Sequence, residues 1–249
     1  MTVTDSTHFW PFPRLVVHRG GGFLAPENTL DAMREAKKIG CRAVEFDIQT
    51  TADGNLVLCH DEYLGRVIQG KARVSELSSE QLKQLCVINP HSPEQTSSGV
   101  CFFDEAVSLC NELELMMNVE LKPASGLEST LAQVAAAAFE KLRISVPVLV
   151  SSFSAACLKQ FSQLRPQQPC GFLYEHADCN WLDTALDLHA RTVHPKDEFA
   201  SLEMIETAHD NGLGVMVWTV DDVVCAERLL QNGADAVCTN RPEDLMRLF

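Results

Sequence analysis

Apolar runs of four to six residues recur along this chain, and stretches of helical period separate them. That alternation leaves few folds open, because successive strands joined by helices lie parallel in one sheet. Candidate strands are 14–18, 43–49, 115–121, 147–152, 170–174, 191–194, 214–220 and 235–239. Candidate helices include 29–39, where Leu30, Met33, Ala36 and Ile39 share a face, and 128–142, 154–164, 201–211 and 221–232. Asn28 is placed to cap the first of these, with Asp31 three residues on, and Gly233 to close the last. Eight strand–helix units in 249 residues favour a closed (β/α)8 barrel, the TIM barrel, over a doubly wound sheet. The expectation is one domain over residues 1–249.

One segment breaks the rhythm. His60 stands only thirteen positions after Asp47, too few for a crossover helix between strands. Asp53-Gly54 between two apolar runs signals a β-hairpin instead. A turn centred there pairs residues whose numbers sum to about 107, which sets His60 opposite Asp47. Residues 61–100 then show no clear strand and one short helical stretch, at 76–86. An excursion of that length predicts a lid or a small subdomain inserted after the second strand.

Charged residues stand in pairs where the apolar runs end. Leu15-Val16-Val17 runs into His18-Arg19-Gly20, and Ala43-Val44 into Glu45-Phe46-Asp47. Leu56-Val57-Leu58-Cys59 runs into His60-Asp61, and Met116-Met117-Asn118-Val119 into Glu120-Leu121-Lys122. Side chains alternate along a strand, so Glu45 and Asp47 share a face, as do Glu120 and Lys122. Burying such charges is very costly unless they meet a metal, an anion or each other. All of them fall at the C-terminal ends of their runs, the face on which barrel enzymes keep their active sites.

Together these groups read as a metal-and-phosphate site. Glu45, Asp47 and Glu120 offer only oxygen, which suits one divalent cation, Mg²⁺ or Ca²⁺ with Mn²⁺ also accepted, better than Zn²⁺. Arg19 can bind two phosphate oxygens as a fork, and Lys122 supplies a point charge. His18 and His60 make an acid–base pair. Taken singly, each has a plainer reading. His18 alone is a satisfied strand-end histidine, and Glu45 and Asp47 a solvated edge. Lys122 alone is a structural or Schiff-base lysine, and Gly20-Gly21-Gly22 a tight turn or a phosphate cradle.

The net charge of −14 argues against a nucleic-acid or anionic-membrane partner. It also requires a phosphate site to carry its own local positive charge. Ten cysteines with no C-x-x-C spacing favour reduced thiols over a disulfide framework. Residues 1–13 have neither the basic nor the apolar region of a signal peptide, and no apolar stretch approaches the ~20 residues of a membrane span. A soluble, cytoplasmic protein without a stable membrane anchor is expected.

These residues resemble the glycerophosphodiester phosphodiesterases. The resemblance runs through His18-Arg19-Gly20, Glu27-Asn28-Thr29, Glu45-Phe46-Asp47, Asp53-Gly54 before His60-Asp61, and Glu120-Leu121-Lys122. It continues in Ser151-Ser152-Phe153, Trp218-Thr219-Val220 and Cys238-Thr239-Asn240-Arg241-Pro242. The opening Trp10-Pro11-Phe12-Pro13-Arg14 is similar to that of the short cytosolic bacterial members. The resemblance implies a metal-dependent barrel enzyme that hydrolyses glycerophosphodiesters, such as glycerophosphocholine or glycerophosphoethanolamine, to glycerol 3-phosphate and an alcohol. It implies Glu45, Asp47 and Glu120 as cation ligands, His18 and His60 as the acid–base pair, and Arg19 and Lys122 as phosphate contacts. It also implies attack by a substrate hydroxyl, giving a cyclic phosphate that water opens. His18 is taken as the base and His60 as the acid, although exchanging them leaves the sequence argument unchanged. Trp218, near the end of the seventh strand, either stacks on the glycerol end of the substrate or is a core or rim aromatic. Phe153 and Glu175 stand at strand ends with weaker claims.

Two departures fall in or beside the excursion. Arg66 is followed by Val67-Ile68 where the family often has Arg-Thr, and Ala72 stands at the second glycine of a Gly-x-Gly. Cys101-Phe102-Phe103-Asp104-Glu105 replaces the family's frequent Pro-x-Leu-Glu-Glu. They bear on lid shape and substrate preference. The competing functions are a lysophospholipase-D-like or cyclic-phosphate-forming phosphodiesterase on the same barrel, and a catalytically silent barrel used for binding.

Overall fold

Each apolar run that the alternation singles out is a strand, and the strands close on themselves. The computed structural model describes residues 8–91, 96–176 and 180–249. The first seven residues, part of the segment read above as lacking a signal peptide, lie outside it, as do 92–95 within the excursion. In chain order the first elements are β1 (Leu15–Val17), α1 (Leu30–Lys38), β2 (Ala43–Thr50), β3 (Leu56–Leu58), α2 (Ser79–Leu82), β4 (Cys86–Ile88) and β5 (Thr96–Gly99). There follow α3 (Phe103–Leu113), β6 (Met116–Leu121), α4 (Glu128–Lys141), β7 (Val148–Ser152), α5 (Ala155–Leu164) and β8 (Cys170–Tyr174). The last are α6 (Trp181–Asp187), β9 (Thr192–Pro195), α7 (Leu202–Asp210), β10 (Gly214–Val217), α8 (Val223–Gln231), β11 (Ala236–Thr239) and α9 (Pro242–Leu245).

The strand order β1-β2-β6-β7-β8-β9-β10-β11 is parallel throughout and closes where β11 pairs with β1. This is the (β/α)8 barrel. Val16, Ala43, Leu149, Met216, Ala236 and Cys238 fill its interior together with Phe12. A larger apolar layer, with Phe46, Met117, Leu121, Leu158 and Phe161 fully buried, lies between strands and helices. Side chains cap the starts of several helices: Ser154 for α5, Ser201 for α7 and Asp222 for α8. Gly233, with φ of +101°, follows the end of α8 as expected.

Four details differ from the sequence reading. The cap of α1 is Thr29, whose hydroxyl accepts from the Ala32 amide at 3.2 Å. Asn28 is left-handed, with φ of 58°, and its side chain turns to Asp47 instead. The hairpin exists, but β3 pairs with β2 on a sum of 106 (Ile48↔Leu58, Gln49↔Val57, Thr50↔Leu56). The loop is closed by Thr51 N to Asn55 O at 2.9 Å, so Ala52, Asp53 and left-handed Gly54 form a three-residue turn rather than a two-residue one. An odd loop moves the register by one, and Cys59 rather than His60 meets Asp47, the Cys59 amide bonding the Asp47 carbonyl at 3.2 Å. The excursion does contain strands, the antiparallel pair β4–β5, and its helical stretch shrinks to α2. Finally, the strand expected over 214–220 stops at Val217.

The excursion has a core of its own. Leu64, Val67, Ile68, Val74, Leu82 and Val87 cluster with Val57 and Cys59 of the hairpin and with Val100 and Phe102. It is therefore anchored on β3, beside the strand that carries Glu45 and Asp47. Among the described residues no helix is long and apolar enough to cross a membrane.

Candidate active site

The inward positions at the C-terminal ends of β2 and β6 are charged and the barrel register brings them together, with His18 and Arg19 following directly on β1. Asp47 pairs with Glu120 and Glu45 with Asn118 across β2 and β6. Glu45, Asp47 and Glu120 are all buried, with ligand oxygens within 4.8 Å of one another. Burial and the charges of Asp47 and Glu120 push the Glu45 carboxyl well above its ordinary range. Burial likewise raises Glu120, to about 7, against the pull of Lys122. Burial also works against Asp47, yet His60, Lys122, Arg19 and Asn28 together hold it low.

The donor set suits a hard divalent cation. Glu45 Oε1 is buried with no hydrogen-bond partner, and Glu120 Oε1 has only an ion pair, 3.3 Å from Lys122 Nζ. Oxygens so placed, with no nitrogen or sulfur among them, fit Mg²⁺, Ca²⁺ or Mn²⁺. Asn28 steadies the cluster: its Nδ2 donates to Asp47 Oδ2 at 2.8 Å, and its Oδ1 accepts from the Asp47 amide at 3.1 Å.

His18 and Arg19 form the turn that leaves β1. Arg19 has left-handed φ of 52°, and its amide donates to Glu45 Oε2 at 2.9 Å. Gly22 closes the turn by donating to the His18 carbonyl at 2.7 Å, and a Cβ there would collide with the Asn240 backbone. The glycine run thus serves close backbone packing.

The tautomer of His18 follows from its neighbours. Asp221 accepts from Asn240 Nδ2 at 3.0 Å, which fixes the amide with Oδ1 toward His18 Nδ1, 2.7 Å away. Nδ1 therefore carries the proton, and Nε2, 3.9 Å from Glu45 Oε2, offers its lone pair to the cavity. Burial and the neighbouring Arg19 lower the His18 pKa to about 4, so the ring is neutral at pH 7.

His60 enters from the hairpin. Its Nδ1 meets Asp61 Oδ1 at 2.8 Å and its Nε2 lies 3.1 Å from Lys122 Nζ. Burial, Arg19 and Lys122 lower its pKa against Asp47 and Asp61. Burial also pulls on Lys122, but Glu120 and Asp47 more than offset it and raise its pKa. That is opposite to what a Schiff-base lysine needs. Arg66 joins the two halves of the site. It holds Glu27 through both Nη atoms, at 2.6 and 2.7 Å, and Asp61 through Nε at 2.7 Å. Glu27 in turn accepts from Arg19 Nη1 at 3.0 Å.

These groups face a cavity of about 410 Å³. His18, Arg19, Glu45, His60, Glu120 and Lys122 make its charged side, while Phe153, Leu173, Met216 and Trp218 make an apolar one, with Glu175 at the rim. Asp47 lies within the carboxylate cluster, 1% exposed. Trp218 donates through Nε1 to the His194 carbonyl at 2.8 Å and meets Phe153 edge-on, ring centres 5.1 Å apart. Every site residue singled out in the sequence is thus at one mouth of the barrel. Asn28, Asn240, Asp221, Glu27 and Arg66 were given no role there. Asn28 carried a signal that pointed elsewhere, toward helix capping; Glu27 and Asn240 stood in runs that carry the family resemblance, and Asp221 and Arg66 gain their roles only from folding.

A family model described as the glycerophosphoryl diester phosphodiesterase family matches residues 18–244. A glycerophosphodiester phosphodiesterase of Caldanaerobacter subterraneus is 28% identical over 94% of this chain and 96% of its own. One of Bacillus altitudinis is 27% identical over 94% and 97%. Among solved structures, an Oleispira antarctica phosphodiesterase in complex with the product sn-glycerol-3-phosphate superposes with a TM-score of 0.89. It is 26% identical over 95% of this chain and 96% of that one.

Proposed function

The chain belongs to the glycerophosphoryl diester phosphodiesterase family, and from that premise we propose how it hydrolyses glycerophosphodiesters to glycerol 3-phosphate and an alcohol. The observation that carries the reading is the buried trio Glu45, Asp47 and Glu120 beside a neutral His18 whose Nε2 faces the cavity. The trio would hold one divalent cation, Mg²⁺ or Ca²⁺. When bound, that ion supplies Lewis-acid stabilisation of charge on a phosphoryl oxygen.

The remaining steps belong to the chain. Lys122 and Arg19, both charged, set a positive local field in an acidic protein and hold the phosphodiester. His18 Nε2 takes the proton of the attacking hydroxyl, and the imidazolium so formed keeps its Nδ1–H bond to Asn240. As the oxygen–phosphorus bond to the nucleophile forms, the bond to the departing alcohol breaks. His60 gives that alcohol its proton, its ring held by Asp61. An entering phosphodiester brings negative charge beside His60 and so favours its protonated form. With a substrate hydroxyl as nucleophile, the first product is a cyclic phosphate, which water opens by the same two histidines in exchanged roles. Trp218 and Phe153 pack on the glycerol carbons.

The test is ³¹P NMR of glycerophosphocholine turnover, with the leaving group varied. Glycerol 3-phosphate is the expected end product, and an accumulating cyclic phosphate would mark the lyase-type reading. With a very good leaving group such as p-nitrophenol, His60→Ala should be largely rescued and His18→Ala should not. Equal rescue of both would refute the assignment of roles.

A further inference from the structure

At the opposite end of the barrel, where the strands begin, three ligating side chains converge that the reaction does not use. We propose that His8, His209 and Asp235 form a second metal site, selective for a Zn²⁺-class ion, which fastens the N-terminal strap to the barrel floor. Their ligand atoms lie within 4.8 Å of one another. His8 Nε2 is 2.6 Å from Asp235 Oδ1, and His209 Nε2 is 3.1 Å from Asp235 Oδ2. Both histidines spend the same ring nitrogen on opposite oxygens of one carboxylate. A proton now fills the place between each pair, and a cation would displace it.

The surroundings favour this. The Val215 amide donates to Asp235 Oδ2 at 2.7 Å and orients the carboxylate, as outer contacts of metal ligands do. Burial opposes ionisation of Asp235, but bonds from His209, Val215 and His8 keep its pKa low, so it is anionic at neutral pH. All three side chains are partly exposed, which leaves an ion open to water as a further ligand. Two imidazoles and one carboxylate suit Zn²⁺, whereas the oxygen-only trio in the catalytic mouth suits Mg²⁺ or Ca²⁺. One chain would then sort two metals by donor chemistry.

The rings are stacked, centres 3.7 Å apart and planes within 3°. Parallel rings at that spacing cannot both aim a lone pair at one ion, so binding turns one ring out of the stack. His209 is fixed within α7, whereas among the described residues His8 precedes every helix and strand, so the turn falls to His8. From His8 the strap continues into Phe9, which bridges Leu213, and into Trp10 and Phe12, which pack against the barrel interior.

The test uses the full chain, stripped of metal and dialysed against excess Mg²⁺ with Zn²⁺, comparing wild type with His8→Asn and His209→Asn. Wild type should retain one zinc that Mg²⁺ does not displace, and Zn²⁺ should raise its Tm. Each variant should bind that zinc at least about 100-fold more weakly, beyond the range typical of losing an outer contact. Mg²⁺-supported phosphodiesterase activity should be unchanged in both variants, which also shows that they fold. In wild type, Zn²⁺ should shift the ring resonances of His8 and His209 directly. Equal zinc retention in wild type and variants, or zinc fully displaced by Mg²⁺, would overturn the proposal and leave the catalytic reading standing.

Discussion

Replacing Asn28 with alanine isolates the contribution of a residue that touches a proposed metal ligand without being one. The substitution removes the 2.8 Å bond to Asp47 Oδ2 and the acceptor of the Asp47 amide. A hydrogen bond to a charged group contributes about 1.5–3 kcal/mol, and the amide is left buried without a partner. Residues that orient a metal ligand typically change metal affinity about 10–100-fold, which is about 1.4–2.7 kcal/mol. The two figures agree in size, so most of the lost bond should appear as weaker metal binding. The assay is the initial rate of glycerol 3-phosphate release across a Mg²⁺ titration. The half-saturating concentration should rise about 10–100-fold, with kcat recovering most of its wild-type value at saturating Mg²⁺. Alanine at the left-handed φ of 58° also strains the backbone by about 1–2 kcal/mol. A separate fall in Tm should report that strain. An unchanged half-saturating concentration, whatever happens to kcat, would refute the reasoning that Asn28 holds Asp47 for the cation.

Asn240→Ala should lower kcat by a large part of the roughly 10²–10⁴-fold that a general base contributes, because His18 loses the acceptor that fixes its tautomer. Steady-state rates would check this, and a change confined to KM would contradict it. Arg66→Ala should destabilise the fold by only about 1 kcal/mol, since these pairs are partly solvated. It should lower kcat more than it raises KM, because Asp61 and Glu27 both lose their anchor, and Arg66→Lys should not restore it. Burial lowers the His194 pKa to about 3. Between pH 6.5 and 3 the unfolded chain therefore binds a proton that the folded one does not. The stability this residue contributes is complete above pH 6.5 and is lost as pH falls. In urea unfolding between pH 6 and pH 4, His194→Gln should flatten the slope of stability with pH by about 1.4 kcal/mol per unit. An unaltered slope would show that His194 is charged in the folded state.

The barrel was legible because its signal is local. Each strand is a short apolar run, each helix has its own period, and charges at the ends of the runs all land at one mouth once the sheet closes. The hairpin was legible as a hairpin but not in register. Asp-Gly fits both a two-residue turn and the third position of a longer one, and only the Thr51–Asn55 bond decides. Asn28 looked like a helix cap because its neighbour Thr29 can do the same work, and nothing local shows which side chain turns inward. The partner of His18 is 222 residues away in sequence. Arg66 reaches Glu27 across 39 residues from within the excursion. Contacts of that kind depend on how the chain closes, and no periodicity announces them. The short strands of the excursion were missed because Cys86–Ile88 is alternately exposed and buried over only three residues.

The most direct test of the account is release of glycerol 3-phosphate from glycerophosphocholine with Mg²⁺, with Ca²⁺ and with EDTA, in wild type and in Asp47→Asn. Of the three proposed ligands, Asp47 is the one whose pKa the surrounding charges lower. The account predicts release that requires the cation, ceases with EDTA, and in the variant returns only partly even at high metal. Release that persists in EDTA, or a variant indistinguishable from wild type, would mean that the three carboxylates do not hold the ion on which the chemistry depends.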